Sequence, residues 1–204
     1  MQAKHEKAAV EFLAAQLKDY APATIAHQAT FEGSPLEGEG AMSVFRFRAT
    51  VGGGEPADYW VVAGQTEPNY YPHWGLDAEQ VYETHLGTRF MLVLGVAVVP
   101  LCDTPDDHVQ RVAAFIASAA PGAAIENIEP AAIFRVQDGV YGVFRARVGG
   151  DDVYILGLDC PPGIYRDTNL PPHVVFRRHI GRLIRREVQA EQRDQQRRAQ
   201  NLRR

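Results

Sequence analysis

The amino-acid sequence predicts an α+β protein of two tandem α-β-β-β-α units. Each unit carries an antiparallel sheet with helices packed on one face, and the two are related by a pseudo-twofold internal duplication. Three observations predict this. Residues 58–87 align without a gap on residues 152–181, at an offset of 94. Seven pairs in that alignment are identical: Asp58/Asp152, Pro68/Pro162, Tyr71/Tyr165, Leu76/Leu170, Val81/Val175, His85/His179 and Gly87/Gly181. Upstream, Val44-Phe45-Arg46-Phe47-Arg48 matches Val143-Phe144-Arg145-Ala146-Arg147, and each run leads into a Gly-Gly turn. The order of elements is also the same in both halves, and a repeated unit is the economical account of such self-similarity.

The first helix is expected over about 4–19, where Ala8, Ala9, Phe12, Leu13 and Leu17 keep an apolar stripe at helical spacing. Its counterpart is expected over about 105–119, with Thr104 as N-cap and Val109, Val112, Ala113 and Ile116 as the stripe. Ala21-Pro22 and Ala120-Pro121 close the two helical stretches. A strand near 24–32 is followed by a loop rich in Gly, Ser and Pro over 33–40. The next strand is the clearest in the chain. Phe45, Phe47, Ala49 and Val51 point one way while Arg46, Arg48 and Thr50 point the other. In the second half Phe144, Ala146 and Val148 oppose Arg145 and Arg147, and Asp138-Gly139 marks a hairpin ahead of them. Third strands are expected over 58–65 and 152–159, each followed by a Pro-containing loop. The closing helices begin at Asp77, with Gln80 three residues on as a capping box, and at Pro171-Pro172, which suit a first helical turn. The uncharged run 90–99 fits either a continued helix or a buried strand. The aligned spacing of Ile180, Leu183, Ile184 and Val188 favours helix. Having no charge after Arg89, the run is expected to be buried and to join the halves.

This reading sets domains at 1–101, 102–188 and a basic Arg/Gln-rich tail at 189–204. The net charge of −4 conceals an asymmetry. Residues 177–204 hold ten Arg against Glu187, Glu191 and Asp194, a local +7, which leaves −11 on the rest. The two cysteines, Cys102 and Cys160, form no CxxC and have no His at metal-ligand spacing, so neither a disulfide scaffold nor a metal or other cofactor is expected. The N-terminal residues lack the apolar block of a secretory signal. The longest apolar run, 90–101, is 12 residues and too short to span a bilayer. A soluble, cytoplasmic protein without membrane contact is expected.

Four constellations carry chemistry. The loop 67–75 holds Tyr70, Tyr71, His73 and Trp74, rings of the kind that anchor interfaces at low entropic cost. Only Tyr71 has a counterpart in the other half, so Tyr70, His73 and Trp74 are the functional candidates and Tyr71 the structural one. Arg46, Arg48, Arg145 and Arg147 would form a basic stripe able to hold phosphates or an acidic peptide. His85 and His179 recur at equivalent helical positions, each just before an apolar residue and Gly. No acid or thiol at i±3 or i±4 completes a metal face, so packing with one hydrogen bond is expected, the Gly allowing close helix approach. The Arg tail could contact nucleic-acid phosphates, although no aromatic residues are interleaved with it.

No GxSxG, P-loop, dinucleotide turn or HExxH occurs. The order of elements resembles, at the level of architecture alone, that of small bacterial secretion-chaperone-like folds. No motif is shared, so no family follows. The function expected is therefore a non-enzymatic protein- or peptide-binding adaptor or chaperone-like protein. The alternatives are a small-molecule-binding protein or enzyme with a pocket near 67–75, lined by Tyr70, His73, Trp74 and His85, and nucleic-acid binding through the tail.

Overall fold

The structure is a computed structural model that describes residues 1–17, 20, 25–32, 40–99, 106–137 and 139–201. Ala21-Pro22, the loop 33–39, Cys102, Thr104, Asp138 and 202–204 lie outside the described residues. The chain forms two compact units, Met1–Arg89 with Ile180–Arg204, and Phe90–His179.

In the first unit, helix α1 (Gln2–Gln16) precedes strands β1 (Ala26–Glu32), β2 (Ala41–Ala49), β3 (Ala57–Ala63) and β4 (Asn69–Pro72), which form an antiparallel sheet in that order. Ala9 and Leu13, four residues apart on α1, pack with Phe45, Phe47 and Ala49 of β2 and Val61 and Ala63 of β3. The two-residue period of β2 puts its phenylalanines on this face, and each buried ring contributes about 1.5–3 kcal/mol. The opposite face carries Met42, Val44, Trp60, Val62 and Tyr71, all buried. Helix α2 (Ala78–Leu94) packs on that side: Tyr82 stacks on Phe31 of β1 at 4.6 Å, and Tyr71 bonds to His85.

The second unit holds β5 (Ala97–Val99), α3 (Asp106–Ala119), β6 (Ile125–Val136), β7 (Gly139–Val148), β8 (Asp151–Leu158) and β9 (Gly163–Tyr165), with the start of α4 (Pro172–Asn201). Its strands form an antiparallel sheet in the order β5-β6-β7-β8-β9. Val112 and Ile116 of α3 pack with Ile133, Phe144, Ala146, Val153 and Ile155. On the other face Phe134 stacks on Phe176 of α4 at 4.1 Å.

The α+β class and the two antiparallel sheets are those the sequence predicts. Each sheet, however, meets helix on both faces rather than on one. The reason lies in the second face of β2. It is arginine only near the turn, at Arg46 and Arg48, and apolar further back, at Val44 and Met42, where it needs cover. The register recurs in both units: Arg46 faces Trp60, which faces Tyr71, and Arg145 faces Tyr154, which faces Tyr165. Positive φ at Gly52 and Gly53, and at Gly149 and Gly150, closes the equivalent hairpins. The capping box is present as well: Gln80 N donates to Asp77 Oδ1 at 2.8 Å and Asp77 N to Gln80 Oε1 at 3.1 Å.

Two further expectations are corrected. The run 90–99 is both helix and strand: α2 continues to Leu94, Gly95 takes a left-handed φ of 68°, and β5 follows. The run is not wholly buried either, since Leu92 is 67% and Val93 60% exposed. The fully buried stretch of α2 is the preceding turn pair, Val81 to Thr88. The Pro-containing loops after the third strands contain the short fourth strands β4 and β9, each added by pairing with its predecessor. The compact units divide within α2, between Arg89 and Phe90, and within α4, between His179 and Ile180.

Candidate binding groove

The ring-rich connector does not form one surface. Tyr70 and Tyr71 are neighbours on β4 and face opposite sides of the sheet. Tyr70 packs on the α1 side, within 6.4 Å of Phe12 and Phe47. His73 stacks on Trp60 at 5.3 Å, on the other side. Trp74 sits half-buried in the turn that follows, with φ of 45°, a left-handed conformation uncommon for a bulky residue. Tyr70 is thus separated from His73 by the sheet itself. Tyr71 is buried, as its repeated counterpart suggests.

The arginines are each engaged within their own sheets. Arg46 donates to Asp58 at 2.6 Å, which holds the Asp58 carboxyl below its ordinary range. Arg145 donates to the Tyr154 hydroxyl at 3.0 Å and lies over that ring. Arg48 donates to the Pro56 carbonyl at 3.4 Å, and Arg147 to the Gly150 carbonyl at 3.2 Å with Asp152 at 3.8 Å.

The two histidines are buried against the tyrosines of the repeat. Tyr71 and His85 Nδ1 are 3.0 Å apart, Tyr165 and His179 Nδ1 2.8 Å, and the rings cross edge to face at 87° and 85°. The hydrogen-bond polarity in the second pair is fixed by Pro161, whose carbonyl lies 2.9 Å from His179 Nε2 and can only accept. Nε2 therefore carries the proton and Nδ1 accepts from the Tyr165 hydroxyl. Cys160 Sγ, 3.5 Å from the same Nε2, faces a donor and cannot hand its proton to that ring. Burial and the Asp159 carboxylate push its thiol up to about 11. This is the reverse of an activated thiolate, although the sulfur lines a 170 Å³ cavity with Arg111 and Phe115.

What the sequence does not display is a groove in the first unit, where β1, α2 and the later part of α4 meet. Its volume is 250 Å³, and Phe31, Tyr82, Leu86, Arg185, Val188 and Gln192 line it. The Tyr82 hydroxyl donates to the Glu32 carbonyl at 2.6 Å, fixing the end of β1. Arg185 lies over the Phe31 ring at 5.4 Å, is ion-paired to Glu79, and is 3.9 Å from Glu83. Arg182 reaches Glu83 at 3.3 Å, so a carboxylate only 5% exposed is charge-compensated. Gly181 lets the helices approach: a Cβ there would stand 1.7 Å from the Glu83 carbonyl oxygen. The groove runs beside β1, an edge strand that pairs with β2 on one side and with no strand on the other among the described residues. Half-buried His27, Ala29 and Phe31 alternate with exposed Gln28, Thr30 and Glu32. No local motif could have revealed this site, since its walls come from three distant segments.

Comparison with protein families, with curated proteins and with solved structures finds no match for this chain. Among the described residues, no helix is long and apolar enough to cross a membrane, and no three acidic, Cys or His side chains are grouped to hold a metal ion.

Proposed function

We propose that the chain is a non-enzymatic, adaptor-like binding protein that holds an extended peptide along the outer edge of β1. One apolar side chain of the peptide enters the groove between Phe31, Tyr82 and Val188. The observation that carries this reading is an open seven-residue strand edge lying directly beside an aromatic-lined groove. Strand addition takes its affinity from main-chain hydrogen bonds and its selectivity from side-chain pockets, and both requirements are met here. The engaged state of the repeated histidines and the inert setting of Cys160 support binding over catalysis. The shared register of the two units supports descent from one duplicated ancestor.

The test is a titration of isotope-labelled protein with a library of extended nonapeptides, each carrying one large apolar residue. Shifts are expected at residues 26–32 and at Tyr82. They should vanish in Val188→Trp, whose indole fills the groove from its wall while the fold is retained. Peptides that shift β4 or α3 instead, or bind Val188→Trp equally well, would refute the assignment.

A further inference from the structure

The distal part of α4 presents a second surface, independent of the groove. The arginines of this helix differ in their engagement. Nearer its start Arg178 pairs with Asp167, Arg182 with Glu83 and Arg185 with Glu79. Further along, Arg186, Arg193 and Arg197 are exposed and make no ion pair among the described residues. At 3.6 residues per turn, spacings of seven and four residues bring these three within an arc of about 40°, over about 16 Å of axis. Gln189, Gln196 and Gln200 fall on one flank of that arc. Glu187, Glu191 and Asp194 fall about 80–140° away on the other side of the helix, with Arg198 among them.

The composition of this face selects its partner. A protein-binding helix presents apolar anchors at i, i+3, i+4 and i+7, and a membrane-surface helix presents a continuous apolar side. The arginine arc has neither. Its members are Arg and Gln, with Ala190 alone at its border. Interfaces made almost entirely of cations and amides are those formed with phosphate backbones, where Arg and Gln both donate to phosphate oxygens. The acidic row restricts the geometry: a helix sunk into a groove meets phosphates on both flanks, and here one flank would repel them.

We infer that Arg186, Arg193 and Arg197 bind one nucleic-acid strand along its phosphates, side-on and without base reading. Three phosphate contacts give a salt slope of about −2.1 for a single strand and about −2.7 for a duplex. Raising salt fourfold therefore weakens binding about 15- to 40-fold. Because the chain as a whole carries −4, the attraction belongs to this stripe and is confined to low salt.

The experiment is fluorescence polarisation of the full chain with labelled 20-nucleotide single strands and the matching duplex, at 25–100 mM salt. Sequence-independent binding with those slopes is expected, steeper in salt for the duplex. Arg186→Gln/Arg193→Gln/Arg197→Gln should lose it by at least tenfold, while Glu187→Gln/Glu191→Gln/Asp194→Asn should tighten it. Both variants change only exposed side chains, and an unaltered helix signal confirms their fold. Absence of binding at 25 mM, equal binding by the arginine variant, or equal competition by a poly-glutamate peptide would each overturn the inference.

Discussion

Replacing Gly181 by Ala tests how α2 and α4 are held together in the first unit. An added Cβ would lie 1.7 Å from the Glu83 carbonyl oxygen and 2.6 Å from its carbonyl carbon. Ordinary contacts with such atoms begin near 3.4 Å, so the two backbones must separate by about 1.5 Å or more. The obstacle is main chain, not a side chain that can swing aside, and it sits within the buried run of α2 from Val81 to Thr88. Overpacking of this kind costs about 3 kcal/mol, toward the top of its usual range. Alanine's better helix propensity returns about 1 kcal/mol. The net loss is about 2 kcal/mol, or roughly 4–8 °C in Tm for a chain of this length. Part of the loss should appear as weakened Arg182–Glu83 and Arg185–Glu79 pairing, since both depend on the same approach. The assay is chemical and thermal denaturation followed by circular dichroism. Gly157→Ala is the control, because its Cβ meets only the Pro162 Cβ at an ordinary 3.5 Å. If Gly181→Ala matches or exceeds the wild-type stability, the close helix contact is wrong.

Two further outcomes follow from buried hydrogen bonds. Tyr165→Phe removes the donor to His179 Nδ1 and leaves a buried acceptor unmet, at a cost of about 1–3 kcal/mol. A denaturation midpoint unchanged from wild type would contradict the bond. Stability should also fall as pH drops below His5's ordinary value of 6.5, because burial, followed by the N-terminal amine and Lys4, lowers that pKa in the folded chain. The unfolded chain then binds the proton more readily, so the neutral ring's bond to Ser43 Oγ at 2.9 Å stabilises above pH 6.5 and is lost as pH falls. His5→Gln should flatten that part of the pH profile; an identical slope in the variant would assign it elsewhere.

Legibility followed the range of the interaction. The Phe/Arg alternation of β2, the Asp77–Gln80 capping box and the paired Gly-Gly hairpins rest on neighbours a few residues apart, and all could be read directly. The burial of 90–99 could not. A lack of charge shows that a segment can be buried, whereas cover is a tertiary property, and Leu92 and Val93 have little of it. The fourth strands were hidden for a related reason. Three or four residues beside prolines carry almost no intrinsic strand signal, and β4 and β9 exist through pairing with β3 and β8. The aromatic connector is clustered in sequence but not in space, since one strand step sends Tyr70 and Tyr71 to opposite faces.

Positions aligned between the two units are in part alike and in part different. The paired Tyr–His bonds use the same atoms in both units and nearly the same ring angle. Around those bonds the chemistry diverges. His73 stacks on Trp60 in one unit, whereas the aligned Asp167 accepts a charge-assisted bond from Arg178 in the other. Trp74 holds a left-handed φ, while its aligned partner Thr168 is absent from the residues with positive φ. Glycine would occupy that conformation without strain, whereas a bulky side chain seldom does. The arginines of α4 also differ among themselves. Arg178, Arg182 and Arg185 are ion-paired to Asp167, Glu83 and Glu79, whereas Arg186, Arg193 and Arg197 are exposed and make no ion pair among the described residues. Exposed side chains that join no ion pair can be exchanged at little cost to stability, and on α4 they lie along the arginine face.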